Sequence, residues 1–324
     1  MKKILGMGNA LVDIMTQLDH DEYLPFFELP KGSMILVDGD RSEKIYEETM
    51  HLEKTVRSGG SAANTIHGLA NLGVESGFIG KIGTDDMGKV FHDDLVAAGI
   101  RAHLSQSNTS TGRAIALVSP DAERTFATYL GAAVELTAAD FDEDVFKAYD
   151  ILHIEGYLVQ NQSMLLKAVQ LAKKNNLLVS LDTASYNVVA ENREFLEKII
   201  REYVDIVFAN EEEARALTGK APADALETLA EHTAIAVVKT GLNGSLVKKG
   251  MESLVIGIIQ VNSIDTTGAG DLYAAGFLYG MVNGYDILKA GTIGSILAGK
   301  VIEVIGPKLD DASWSTVKKM INSI

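Results

Sequence analysis

From Tyr149 onward the chain alternates short runs that are apolar throughout with longer stretches that are apolar on one side. DILHIEGYL, LLVSLD, VDIVFAN and AIAVVKTG read as strands, and MLLKAVQLAKKNN and EEEARALTG as helices between them. A strand that is apolar at every position is buried on both faces, and strands alternating with helices make a parallel sheet covered on two sides. The opening KILGMGNALVDI reads as one more buried strand ending in small residues and Asp13. SGGSAANTIHGLANLG, residues 58–73, reads as a glycine turn entering a helix that stops at a glycine. Ligands of such sheets sit beyond the carboxyl ends of the strands, so the tips Asp182, Asn210 and Lys239 to Gly241 are expected to face one crevice.

Two segments break this rhythm. TGRAIALVSPDAERTFATYL holds two β-rich runs joined by the turn residues SPDAE, which predicts a hairpin. YLPFFELPKGSMILVDG mixes prolines, turn glycines and one short strand, MILV. Residues 14–55 and 101–130 are therefore expected to form a small β-rich lid. Residues 1–13, 56–100 and 131–324 would form the α/β core that binds nucleotide and substrate.

Composition narrows the chemistry. The 324 residues are 47% hydrophobic, enough for a sizeable core, and carry a formal net charge of −15. Such a charge repels a phosphate backbone, so no nucleic-acid partner is expected, although a small anion in a local nest of amides is allowed. The chain has no cysteine, which removes disulfides, thiolate nucleophiles and cysteine zinc sites together. No apolar stretch approaches the ~18 to 20 residues that span a bilayer. The expectation is a cytoplasmic protein with no membrane partner, monomeric or homodimeric according to whether the lid edge pairs with a second lid or is covered by its own helices.

Several common motifs fail. Gly-Lys pairs are never followed by Ser or Thr, so there is no Walker A loop, and GMGNAL and GAGDLY place Leu11 and Tyr273 where a dinucleotide fingerprint needs its third glycine. No H-E-x-x-H or G-x-S-x-G pattern occurs, and His153, inside an apolar strand, reads as a packed core histidine.

DTTGAGDLYAAGFLYG, residues 265–280, puts an acid, Asp271, at the start of a long apolar helix behind Gly268, Ala269 and Gly270. An aspartate there can cap the helix, bonding free backbone N–H groups and complementing the dipole. The same free N–H groups also form an anion site, where the acid could accept a proton from an attacking hydroxyl beside a phosphoryl group. On this window alone both readings stand.

GGSAAN (Gly59 to Asn64), followed much later by DTTGAGD, resembles the two signatures of the ribokinase and adenosine kinase family, the PfkB carbohydrate kinases. Between them NEEE (Asn210 to Glu213) is similar to the family's N-x-x-E element, and KTGLNG (Lys239 to Gly244) to its nucleotide loop. The resemblance implies a ribokinase-like three-layer α/β sandwich with a mainly parallel central sheet and a β-rich lid. It also implies ATP with Mg²⁺ as donor and a sugar or nucleoside hydroxyl as acceptor. Under it Asp271 is the general base, and the N–H groups of Gly268, Ala269, Gly270 and Asp271 form the anion hole. Asp13, Gly59, Gly60 and Asn64 match acceptor-binding positions, and Thr240, Gly241 and Gly244 match donor-nucleotide positions. Asn210 and Glu213 match residues that organise metal-bound water, while also fitting a plain helix cap. Asp265 and Thr267 match positions that in some members hold a monovalent cation such as K⁺.

The acceptor follows from departures. Leu11 stands where ribokinases carry a polar amide, and GMGNALVDI, with Asn9 in place, resembles the adenosine kinase pattern. An apolar Leu11 can pack on a purine, and Phe126 on the lid can cover a base. Arg113 and Arg124 are the lid segment's basic candidates, fitting surface pairing or, for one of them, a clamp on donor phosphates. The ordering is adenosine first, a free sugar second and a sugar phosphate third. A nucleotide- or nucleoside-binding protein without turnover is the alternative of another class; it would need the anion hole but not the base.

Overall fold

The computed structural model describes residues 2–121 and 123–324; Met1 and Ala122, the latter in the expected hairpin turn, lie outside them. In chain order the strands are β1 (Ile4–Met7), β2 (Leu11–Gln17), β3 (Met34–Leu36), β4 (Lys54–Gly59), β5 (Ser76–Gly83), β6 (Arg101–Ser107) and β7 (Thr111–Val118). They continue as β8 (Arg124–Gly131), β9 (Ile151–Glu155), β10 (Leu178–Asp182), β11 (Ile206–Asn210), β12 (Ile235–Lys239), β13 (Ser245–Lys249) and β14 (Glu252–Ile256).

Nine of these form one sheet in the order β14-β13-β12-β11-β10-β9-β1-β5-β6. Its pairings are parallel from β6 through β12 and antiparallel through β13 and β14. Alternation within each strand divides the core in two. Ile4, Ile151, Ile206, Phe208, Ile235 and Val237 join one cluster with the helices around Ile66, Phe91, Phe277 and Leu297. Leu5, Leu152, Val207, Ala209, Ala236 and Val238 join the other, with the helices around Leu165, Ile199 and Leu226. The result is the expected three-layer sandwich, because fully apolar strands need cover on both sides. Among the described residues no helix is long and apolar enough to cross a membrane.

The other five strands form a second sheet, β3-β8-β7-β2-β4. Two sequence boundaries shift. KILGMGNALVDI is two strands: the chain leaves the large sheet after Met7 and enters the lid at Leu11. The reason is visible in burial, since β1 is buried throughout whereas β2 buries Val12, Ile14 and Thr16 and turns Asp13, Met15 and Gln17 the other way. Residues 101–107, expected in the lid, form β6, the edge strand of the large sheet beside β5. The hairpin is present as antiparallel β7 and β8. An unanticipated ten-residue helix, Gly39–Glu48, covers the back of the lid through Ile45, which clusters with Val12, Ile14, Phe27, Ile115 and Leu117. That leaves the edge strands β3 and β4 for any pairing between copies.

Candidate active site

The order of the large sheet reverses at β1, which lies between β9 and β5, and a crevice opens there beyond the strand ends. Glu155, the last residue of β9, bridges it. Its carboxylate accepts the N–H of Asn9 at 2.9 Å, the Asn9 side-chain amide at 2.8 Å and the N–H of Ala62 at 3.0 Å. Asn9 therefore serves the frame of the site through its amide nitrogen. Burial pushes the Glu155 pKa up to about 7, against the pull of those bonds.

Asp271 lies in the first turn of the helix Ala269–Val282, whose N-cap, Gly268, has φ 76° and no side chain with which to cap. A Cβ at Gly268 would also fall 2.5 Å from Pro307. The Asp271 carboxylate turns away from its own helix, accepting Ser61 Oγ at 2.7 Å and Asn64 Nδ2 at 3.0 Å. Capping is thus not what occupies this acid. The two signatures meet through it, and burial pushes its pKa up to about 6, with the Ser61 and Asn64 bonds opposing. An acid ionised just above that value, held by two donors, is placed to take a proton from a hydroxyl.

Asp271 lines a cavity of about 740 Å³, walled also by Asp182, Asn210, Glu213, Lys239, Gly241, Gly244 and residues 268–270. The strand tips converge there as expected from the fold. Asn210 and Glu213 form a reciprocal capping box, and Glu213 also accepts Thr183 Oγ1 at 2.7 Å. The helix-cap half of that dual reading is present, and the cap borders the cavity. Lys239 pairs with Asp182 at 2.8 Å, and its Nζ is 3.1 Å from where a Gly270 Cβ would stand. A fixed positive charge therefore lies beside the Gly268–Asp271 amides. Burial would lower the Lys239 pKa, but Asp182 and Glu213 override it and raise it. Thr240 is buried, and its Oγ1 has no hydrogen-bond partner among the described residues.

A second, smaller cleft of about 400 Å³ runs between the lid and residues 304–308, walled by Asp13, Met15, Lys54, Arg57, Val118, Ile305 and Lys308 among others. Gly59 leaves room for Asp13, since a Cβ there would lie 2.1 Å from its carboxylate, and Gly60, at φ 95°, passes against the Asn9 carbonyl. The Asp13 carboxylate accepts no hydrogen bond from the described residues. Burial pushes its pKa up to about 7, with Lys308 opposing. Leu11 and Phe126 share the Asp13 face of the lid sheet by register but do not line this cleft; Leu11 is nearly buried over Gly112.

Of the lid arginines, Arg113 is buried against Glu43 at 2.7 Å, and Arg124 pairs with Asp265. The positions read as a cation site, Asp265 and Thr267, are thus met by a guanidinium. The basic groups that reach the smaller cleft are instead Lys54, Arg57 and Lys308. Lys308 donates to Ser58 Oγ at 2.7 Å and Asp94 Oδ2 at 2.5 Å. Ser61, Glu155 and Lys308 have no assigned role at the site from sequence, and Asp182 and Lys239 read there only as strand tips facing the crevice. Only Ser61 and Lys239 lie inside the quoted motifs, where they could have been found. His153 is the packed histidine expected, bonded to Ser180 at 3.0 Å, and burial lowers its pKa to about 4.

A three-layer, mainly parallel sandwich with a β lid, and an acid lining a large cavity at a helix start that no side chain caps, fit a phosphotransferase acting on a hydroxyl. The chain belongs to the pfkB family of carbohydrate kinases, whose model matches residues 32–313. It is 28% identical over 328 residues to an adenosine kinase of Saccharomyces cerevisiae, covering 94% of this chain and 96% of the relative. It is 33% identical over 274 residues to a 5-dehydro-2-deoxygluconokinase of Listeria monocytogenes, covering 79% of this chain and 83% of the relative. The solved adenosine kinase from Sinorhizobium meliloti is 34% identical and superposes with a TM-score of 0.87, covering 98% of this chain and 99% of that one. Relatives of similar identity carry different substrate names, so membership fixes the reaction type and not the acceptor.

Proposed function

We propose that this kinase transfers the γ-phosphoryl group of Mg·ATP to the 5′-hydroxyl of adenosine. The observation that carries the reaction is the Asp271 carboxylate, held by Ser61 and Asn64 on the wall of the larger cavity. In this reading the nucleotide phosphates lie over the amides of Gly268, Ala269, Gly270 and Asp271, with Lys239 as the fixed charge beneath them. Gly241 and Gly244 border the nucleotide, and the free Thr240 hydroxyl is its neighbour.

Among the described residues no group of three or more acid or imidazole side chains forms a metal cage. Mg²⁺ keeps most of its waters and binds mainly through substrate phosphates, so a water-mediated site near Asn210 and Glu213 fits the residues present. The ion would neutralise charge on the transferring phosphoryl. Asp13 takes acceptor hydroxyls, Gly59 and Gly60 shape the turn beside it, and Asn9 holds the frame through Glu155. Adenosine is favoured because the acceptor face of the lid carries Leu11, Met15, Met34, Leu36 and Phe126, an apolar platform suited to a purine.

A second reading, an acceptor bearing an anionic group, is favoured by one observation. Arg57 is exposed in the acceptor cleft across from Asp13 and forms no ion pair among the described residues. ADP release from Mg·ATP, measured in parallel with adenosine, inosine, ribose, fructose and fructose phosphates, tests both. Preference for adenosine supports the first reading, and preference for an anionic sugar replaces it with the second.

A further inference from the structure

Arg124 leaves the lid on strand β8 and ends on Asp265, in the loop that leads into the helix Ala269–Val282. The two side chains are 11% and 7% exposed, so the pair is formed out of water. Arg124 Nη1 contacts Asp265 Oδ2 and donates to Thr267 Oγ1 at 3.1 Å. The same carboxylate collects three more donors: the Thr267 N–H at 3.0 Å, the Thr267 hydroxyl at 2.8 Å and the Gly306 N–H at 2.6 Å. Asp265 thereby ties together the turn that ends at Gly268 and the segment that walls the acceptor cleft.

A carboxylate collecting backbone donors in a buried position needs a compensating cation. Here that cation belongs to the lid. Burial alone would raise the Asp265 pKa, but Arg124 and the Thr267 and Gly306 donors outweigh it and hold it below the usual carboxylate range.

We infer that Arg124 is a positioning residue: its guanidinium supplies the countercharge of Asp265 in place of a free monovalent ion, so that seating the lid and fixing the Gly268–Asp271 amides are one event. This rests on the phosphotransfer reading of the site. It has a direct consequence for turnover. The anion hole is held only when β8 is docked, which links acceptor enclosure to readiness for phosphoryl transfer and discourages hydrolysis of the nucleotide while the lid is away.

The test compares wild type, Arg124→Ala, Arg124→Lys, Asp265→Asn and the Arg124→Ala/Asp265→Asn double variant. Turnover is measured with whichever acceptor is phosphorylated, in tetramethylammonium and in K⁺ buffers. Amide hydrogen exchange at Thr267 and Gly306 is followed in parallel and needs no acceptor.

Wild type is expected to turn over equally in both buffers. Arg124→Ala is expected to lose about tenfold to a hundredfold in kcat, the effect of a displaced reacting group. It should recover severalfold with K⁺ or guanidinium, and its Thr267 and Gly306 amides should exchange faster. Arg124→Lys, which keeps the charge, should fall between the two. In the Asp265→Asn background, Arg124→Ala should cost little more, because the two act as one unit.

Wild-type dependence on K⁺ would overturn the inference, as would an Arg124→Ala variant with unchanged exchange. A kcat loss that K⁺ leaves untouched, with unchanged exchange, would assign Arg124 to the nucleotide phosphates instead. Should none of the acceptors be phosphorylated, the proposed function fails, while exchange at Thr267 and Gly306 still decides whether Arg124 holds the loop.

Discussion

The proposed donor and acceptor clefts near Asp271 are built on opposite plans. On the donor side the charged groups at the strand tips are already paired: Lys239 with Asp182, and Glu213 with Asn210 and Thr183. On the acceptor side Asp13 and Arg57 stand across from each other in the β2–β4 register with hydrogen-bonding capacity to spare. The donor surface is assembled from the ends of the rigid sheet, whereas the acceptor surface is assembled from a separate sheet laid over it. A surface whose charged groups are satisfied binds one ligand by shape and preset charge. A surface with free polar groups waits for the ligand to satisfy them, and that is where a family can vary its substrate.

Breaking the shared centre should have the largest effect. Asp271→Asn is expected to lower kcat by about 10²- to 10⁴-fold, the range for a removed general base, while nucleotide affinity measured by calorimetry stays close to wild type. Turnover at the wild-type rate would refute the mechanism and leave a helix-start acid without a catalytic task.

The donor side should fail structurally. Lys239→Met leaves Asp182 buried without its partner, and urea unfolding is expected to show a loss of about 3 kcal/mol. An unchanged midpoint would mean that the pair is not the fixed charge assumed here.

The acceptor side should fail selectively. Arg57→Ala is expected to leave adenosine KM within about twofold, since a neutral nucleoside gives a guanidinium no charge partner, but to raise the KM of an anionic sugar by about tenfold or more. This single substitution separates the two readings of the cleft.

A pH profile sharpens the comparison further. Asp271 has a raised pKa of about 6 and works as an anion, so kcat should fall about tenfold per unit as the pH drops below that value. Asp13, raised to about 7, should add a fall in kcat/KM that begins at higher pH, because its ionised form takes the acceptor hydroxyls. A kcat flat down to pH 5 would remove Asp271 as the base.

The smallest effect is expected at Thr240→Val. Removing a buried hydroxyl that has no partner among the described residues should change stability by less than about 1 kcal/mol, and any rise in ATP KM would identify that hydroxyl as a nucleotide contact.

What could be read from sequence was whatever has a short range. Fully apolar runs gave the large sheet, small residues before an acid gave the helix start, and turn residues gave the β7–β8 hairpin. What escaped depends on contacts between distant segments. Nothing local distinguishes β2 from β1 beyond a change of alternation at Asn9, and the membership of β6 is decided by pairing with β5. Ser61 reaches Asp271 across 210 residues, and Lys308 reaches Asp94 across 214. Glu155 ends an apolar run and carries no motif, yet it holds both Asn9 and Ala62. Arg124 was readable as a lid arginine, but not as the partner of a carboxylate in another signature.

The central position of β1 also bears on how the chain comes together during synthesis. β1 is made first, yet its two neighbours are β5 and β9, and the latter ends only at Glu155. Every strand of the lid, by contrast, has been made by Gly131. On a growing chain the small sheet can therefore complete its pairing while the middle of the large one still waits for its partner, and domains that mature in sequence order expose less unpaired edge at any moment. Long-range parallel pairing is the slow part of such a fold, so closure of β9 onto β1 is the step expected to set its pace.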